Sequence, residues 1–269
     1  MKEYAFGIDL GGTTAKVGLF TTSGALLEKW EVPTDTSNAG EHILENLANA
    51  IRGKMAEKEI PAEQVEGVGI GVPGPVLNSS VVPIVCANLG GWGERNVSAQ
   101  LSGLLDGLRV LVGNDANVAA LGEIWMGTAK GCRSAVMVTL GTGVGGGVIV
   151  DGKIVSGLGG AGGEVGHSIL VLDGAPCTCG RRGCWEAYAS ATALIRQGRE
   201  AAAAHPESLL NRYPALTGRD VFDAADAGDA AAQAVLEQYY VYVAAGVTNL
   251  VNILSPEMVL IGGGISRQG

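Results

Sequence analysis

Three cysteines and one histidine fall within eighteen residues of this chain: His167, Cys177, Cys179 and Cys184. Zinc favours soft sulfur and nitrogen donors, and a structural zinc site closes all four tetrahedral positions against water. A Cys₃His set fits such a site. Gly180 and Gly183, inside the turn Cys179-Gly180-Arg181-Arg182-Gly183-Cys184, let the backbone fold tightly enough for three sulfurs to converge. The plainer alternative is three reduced thiols in a loop. A redox pair is disfavoured, because Cys177-x-Cys179 lacks the two-residue spacer of the thioredoxin-type motif. Glu164 stands three residues before His167, and Glu186 two after Cys184. A metal-clamped loop would hold both acids rigidly, as a site for a polyhydroxylated ligand needs. Without the clamp they are solvated carboxylates.

Two glycine runs offer phosphate chemistry. Asp9 precedes Gly11-Gly12-Thr13-Thr14, with Lys16 just beyond, between two stretches that read as strands. A glycine hairpin turns backbone N–H groups outward, where they can cradle phosphate oxygens. Thr13, Thr14 and Lys16 add donors, and Asp9 can hold Mg²⁺ through water. A plain hairpin is the alternative. It is not a Walker A loop, which needs G-x-x-x-x-G-K-[ST] opening a helix. The second run, Gly141-Thr142-Gly143-Val144-Gly145-Gly146-Gly147, satisfies G-x-G-x-x-G. A dinucleotide fingerprint requires a helix next, whereas Val148–Val150, the turn Asp151-Gly152 and Lys153–Val155 spell strand, turn, strand.

Asp115 lies in Gly113-Asn114-Asp115-Ala116-Asn117, between a strand and an alanine-rich helix. There it is either an N-cap or a general base poised beside Asn114 at a strand end. Pro73-Gly74-Pro75 also ends a strand, so Gly74 can bring backbone close to a ligand.

Taken together, E-x-G-H followed by C-x-C-G-x-x-G-C-x-E closely resembles the signature of the ROK family (repressors, open reading frames and kinases). D-x-G-G-T at Asp9 resembles the first phosphate motif of the actin, Hsp70 and sugar kinase superfamily. G-N-D-A-N followed by A-A-x-G-E matches the ROK catalytic segment. The resemblance is nearest to the bacterial glucokinases of the family, and covers nearly the whole chain. It implies an α/β, actin-like/ribonuclease H-like ATPase fold, two βα domains with a cleft between them. It implies an ATP-dependent hexose kinase of carbohydrate metabolism and glycolysis, with Asp115 as the base. His167, Cys177, Cys179 and Cys184 would bind structural Zn²⁺. Asn88, Asn114, Glu164, His167 and Glu186 would hold the sugar, with Gly74 at the same site. Asp9, Gly11, Gly12, Thr13, Thr14 and Lys16 with Thr142 and Gly143 would serve ATP and Mg²⁺, and Gly262, Gly263 and Gly264 the adenosine. N-acetylmannosamine, N-acetylglucosamine, allose or fructose stand as alternatives to glucose, and a non-catalytic sugar-binding protein as an alternative to a kinase.

The elements needed to position these groups are legible in outline. Tyr4–Asp9, Ala15–Phe20 and Leu26–Val32 read as strands, residues 41–59 as a helix, and Val65–Val72 as a buried strand. A strand at Arg109–Val112 leads into the helix that runs to Met126, and Ser134–Leu140 precedes the second glycine run. Residues 186–204 read as a helix, residues 220–254 as one long or two abutting helices, and 257–261 as a last strand. The expected domains are 1–113 and 114–269. Relatives continue beyond Gly269, so the second domain is expected to be truncated at its C-terminus.

Composition narrows the class. The 269 residues are 47% hydrophobic and 17% charged, enough apolar material for a sizeable core. A net charge of −9 argues against non-specific nucleic-acid binding, which rests on Lys and Arg. The first strand begins close to Met1, leaving no room for the helix-turn-helix of a sugar-sensing repressor. No secretory signal or membrane span is legible, and five cysteines fit a reducing compartment. The expectation is a cytoplasmic protein that takes a sugar and ATP, with no nucleic-acid or membrane partner, as a homodimer or higher homo-oligomer.

Overall fold

The computed structural model describes residues 2–84, 86 and 89–267. They condense into two units, Met1–Ala119 with Ser156–Gly162, and Ala120–Val155 with Gly163–Gly269.

In the first unit, β1 (Tyr4–Leu10), β2 (Thr14–Thr21) and β3 (Leu26–Pro33) form an antiparallel meander. Helix α1 (Ile43–Glu57) returns the chain to β4 (Val65–Val72), which pairs parallel to β1. A short ribbon, β5 (Val81–Val82) with β6 (Arg95–Asn96), and helix α2 (Val97–Leu104) lead to β7 (Val110–Asn114). The sheet order is β3-β2-β1-β4-β7. Period-two alternation explains β1: Phe6, Ile8 and Leu10 are buried, so Asp9 faces the other way and is exposed. Helix α1 buries Ile43, Leu44, Leu47, Ala48 and Ile51, a stripe at helical spacing, into the same core as β1 and β4. The register aligns Asp9 with Gly71 and Val72 with Asn114, so three parallel strands end side by side. That is where an open α/β sheet binds its ligands.

The second unit repeats the plan. Helix α3 (Asp115–Met126), whose first residues belong to the first unit, leads into β8 (Ala135–Leu140), β9 (Val144–Val150) and β10 (Lys153–Ile154), again an antiparallel meander. Helices α4 (Glu186–Ala189), α5 (Ala191–Ala204), α6 (Gly218–Asp226) and α7 (Ala230–Leu254) follow. Strand β11 (Met258–Gly262) then pairs parallel to β8, giving the order β10-β9-β8-β11. Meander, helical return and parallel strand thus occur twice, as the α/β, actin-like reading expects.

Two expectations are corrected in detail, and a third is resolved between its alternatives. The second glycine run is not all loop, because β9 begins at Val144 and Gly145, Gly146 and Gly147 pair with Thr139, Val138 and Met137. Glycine is a poor strand former, but a side chain on Gly146 would overlap Val165, so packing overrides propensity. The helix expected at 186–204 breaks at Ser190, whose hydroxyl accepts from Ala193 N–H 3.1 Å away and caps α5. The helical stretch at 220–254 is two helices, each capped: α6 by Thr217 in a capping box with Asp220, α7 by Asp229.

Candidate functional site

The cysteine loop closes as its spacing suggests. A bridge pairs Ile169 with Cys184 and another pairs Pro176 with Arg182, drawing the His167 arm against the Cys184 arm. The ligand atoms of His167, Cys177, Cys179 and Cys184 all lie within 4.8 Å of one another. Cys177 Sγ is 3.6 Å from His167 Nδ1, and Cys179 Sγ is 3.6 Å from Cys184 Sγ. Ligands about 2.0–2.3 Å from a shared tetrahedral ion stand about 3.5–3.8 Å apart. Two donor pairs therefore have the spacing of a metal shell, and all four donors lie close enough together to converge on one ion.

Proton affinities within the cluster are uneven. Backbone N–H donation from Arg181 lowers the Cys179 thiol to about 6, while burial pushes Cys184 up to about 12. The two thiols thus differ in readiness to ligate, and any metal uptake here would depend on pH. With Nδ1 on the cluster side, the His167 ring has Nε2 at its far edge.

Trp185, between a cluster cysteine and Glu186, anchors the loop. Its buried indole donates through Nε1 to Tyr242 O at 2.8 Å, on α7. Glu186 then sits where the cysteine loop meets the turn between β8 and β9. Its Oε2 accepts the N–H of Val144 at 3.0 Å and packs against Gly143, where any Cβ would collide with it. Its Oε1 lies 3.3 Å from Thr178 Oγ1 and 3.7 Å from Cys177 Sγ. Ala191 N–H donates to Gly141 O and Thr192 Oγ1 to Thr142 O, both at 2.8 Å. With those carbonyls tied back, the N–H groups of Thr142 and Gly143 make no hydrogen bond among the described residues. Two such donors on one turn suit an anion. Sequence reasoning missed Ala191, Thr192 and the second task of Glu186, because these contacts span 42 to 50 positions.

The first unit presents a second turn of this kind. Thr34 takes up two of the three carbonyls between β1 and β2, Gly11 O through its hydroxyl at 2.8 Å and Thr13 O through its N–H at 3.0 Å. The N–H groups of Gly12 and Thr13 make no hydrogen bond among the described residues. Thr14 opens β2, and Lys16 pairs with Asp9 across the ladder, Nζ 3.7 Å from Oδ2. Both side chains are more than half exposed, so the pair is loose.

At the end of β7 the two polar neighbours divide the work. Asn114 Oδ1 accepts Asn117 N–H at 3.0 Å, the bond of an N-cap to the third helical residue, and its Nδ2 donates to Gly74 O at 3.2 Å. The cap of α3 is thus Asn114, which corrects the capping alternative for Asp115. Asp115 is the first helical residue, with Ala116 N–H 2.8 Å from its Oδ1. Burial pushes its carboxyl above the ordinary carboxylate range, the charge of Asp9 adds to the rise, and the Ala116 N–H opposes it. Solvent nevertheless reaches the residue, as it must reach a group that is to meet a substrate.

Among the remaining expected residues, Gly262 closes β11 opposite Thr139, and Gly263 and Gly264 turn the chain beside the end of β8. Gly262–Gly264 and Gly141–Gly143 therefore share one edge of one sheet. Glu164 is exposed and its carbonyl accepts His167 N–H at 3.1 Å. Asn88 lies outside the described residues. Among the described residues no helix is long and apolar enough to cross a membrane.

Comparison with known proteins agrees with this geometry. The family model described as the ROK family matches residues 5–269. A glucokinase of Halalkalibacterium halodurans is 40% identical over 98% of this chain and 81% of its own length. A ROK hexokinase from Thermus thermophilus superposes with a TM-score of 0.83 at 35% identity, over 98% of this chain and 83% of that one. A ROK family glucokinase from Streptomyces griseus, in complex with glucose and AMPPNP, superposes with a TM-score of 0.77 at 33% identity, over 99% and 85%.

Proposed function

The chain belongs to the ROK family, and from that premise we propose that it phosphorylates glucose to glucose 6-phosphate at the expense of ATP, with Asp115 as general base. The observation that carries the reading is the division of labour at the end of β7. Asn114 caps the helix, so Asp115 is spared that duty and keeps an accessible carboxyl of raised proton affinity. A base serves best when its pKa lies nearer the working pH than that of an ordinary carboxylate.

In the transfer, the sugar hydroxyl oxygen forms a bond to the γ-phosphorus as the bond to the bridging oxygen of ADP breaks. Asp115 accepts the hydroxyl proton. Glu164, Glu186 and the Nε2–H of His167 orient the sugar through its hydroxyls, together with Asn114 and Asn88. The backbone at Gly74, which Asn114 holds through its carbonyl, belongs to the same set. The unengaged N–H groups of Gly12, Thr13, Thr142 and Gly143, with Gly11, Thr14 and Lys16, receive phosphate oxygens, and Gly262–Gly264 lies against the adenosine. Asp9 is an exposed oxygen donor suited to Mg²⁺ held through its waters, and the bound ion neutralises charge on the phosphates. The Cys₃His donors suit zinc, which when bound gives the loop rigidity and leaves the chemistry alone. A reducing cytoplasm fits the five unpaired cysteines.

The test is ADP release measured across glucose, N-acetylmannosamine, N-acetylglucosamine, allose and fructose, with sugar phosphate quantified in parallel. The expected result is one ADP per sugar phosphate and the highest kcat/KM with glucose. Glucose binding without ADP release would identify a non-catalytic sugar-binding protein, and preference for an N-acetylated hexose would reassign the substrate.

A further inference from the structure

Glu186 belongs to two structures at once. One carboxylate oxygen receives Thr178 Oγ1 at 3.3 Å from the cysteine loop, and the other receives Val144 N–H at 3.0 Å from the glycine turn. Gly143 carries no side chain where that second oxygen rests. The same turn is held behind by Ala191 and Thr192 at the start of α5, five and six residues along from Glu186. The chain from Cys184 to Thr192 is therefore continuous with the cluster at one end and bonded to the turn along its length. The cluster also fixes this segment at its start, because Cys184 is one of the four converging donors.

We infer that Glu186 is a positioning residue that couples metal occupancy of the cysteine cluster to nucleotide affinity at the Gly141–Gly143 turn. The physical reason is preorganisation. An anion site made of two N–H groups binds well only if the turn already holds them in place, and any ordering left to the moment of binding subtracts from affinity. A bound ion orders Cys177, Thr178 and Cys184, hence Glu186, hence the N–H of Val144 and its neighbours. Without the ion, the carboxylate swings on a loosened loop and the turn loses its strut. Coupling of this kind is reciprocal: the nucleotide must raise metal affinity by the factor by which the metal raises nucleotide affinity.

The inference rests on the reading of the cluster as a zinc site and of the turn as a phosphate site. Its test is calorimetric Kd for a non-hydrolysable ATP analogue with Mg²⁺, on the zinc-loaded chain and on the same chain stripped by a chelator. Zinc affinity is measured in parallel by competition with a chelating dye, with and without the analogue. The wild-type chain is expected to lose roughly 5-fold or more in analogue affinity on losing zinc, the low end of typical coupling. Glu186→Ala should bind the analogue equally weakly with and without zinc. Glu186→Gln, which keeps an acceptor oxygen, should restore most of the difference. Should Glu186→Ala fail to fold, Gly143→Ala serves instead, since its methyl displaces the same oxygen from the other side. If zinc and analogue both bind but neither affects the other, or if Glu186→Ala and Gly143→Ala keep wild-type coupling, the inference falls alone. If no zinc or no analogue binds, the functional reading falls with it.

Discussion

Asp115 is distinguished from its neighbour by one hydrogen bond. Asn114 accepts from Asn117, so Asp115 retains an accessible carboxyl whose proton affinity burial and Asp9 have raised. The sign of the linkage follows. A carboxyl whose folded pKa exceeds its unfolded value costs stability in its ionised form. That cost is absent below the unfolded pKa of about 3.9 and fully present above the folded one. Asp115→Asn should therefore leave the melting temperature at pH 7 unchanged or raised, with the difference closing as pH falls toward 4. The acid limb of kcat/KM should fall through a midpoint above the ordinary aspartate value, as the base becomes protonated. A melting temperature several degrees lower at pH 7, with an acid limb at the ordinary value, would contradict both statements. The motif around Asp115 was legible in the sequence. Which of two adjacent polar residues caps the helix was not, because that depends on a start position that differs by one residue.

The elements carry the site through packing that spacing does not reveal. Helix α7 has Gly246 in its interior, where glycine costs about 1 kcal/mol against alanine. The reason is Trp185: a Cβ on Gly246 would run into its indole ring, which is 1% exposed. Gly246→Ala thus sets helix propensity against overpacking, and overpacking, at about 1–3 kcal/mol, should win. Urea unfolding should show a net loss of up to about 2 kcal/mol. A gain in stability would mean that Trp185 yields its position easily and is no anchor for the cysteine loop. Cys177, Cys179, Cys184 and His167 could be read as a cluster because short spacing and ligand chemistry suffice. The bonds from Glu186 to Val144 and from Thr192 to Thr142 could not, since only the tertiary fold brings those residues together. The glycines of β9 misled for a related reason: propensity reads them as loop, while packing under Val165 makes them strand.

At the scale of the molecule, one plan occurs twice: an antiparallel meander, a helical return and a strand parallel to the first. Each copy turns its first two strands through a glycine-containing loop in which two carbonyls are held from outside the loop, at Gly11–Thr13 and at Gly141–Gly143. That duplication was visible in outline from the two strand–glycine–strand runs, because tight turns and alternating apolar residues are local signals. The division of the chain at Ala119 and the return of Ser156–Gly162 to the first unit were not, because they depend on long-range packing. Phosphoryl transfer asks positioned donors and one base of this scaffold, and Asp115 is the base we propose. The most direct measurement is turnover of Asp115→Asn with glucose and ATP, beside its glucose Kd. The amide keeps the size and an acceptor oxygen but cannot take the hydroxyl proton, so kcat should fall by about 10²–10⁴ while Kd changes little. Turnover within a few-fold of wild type would contradict the account.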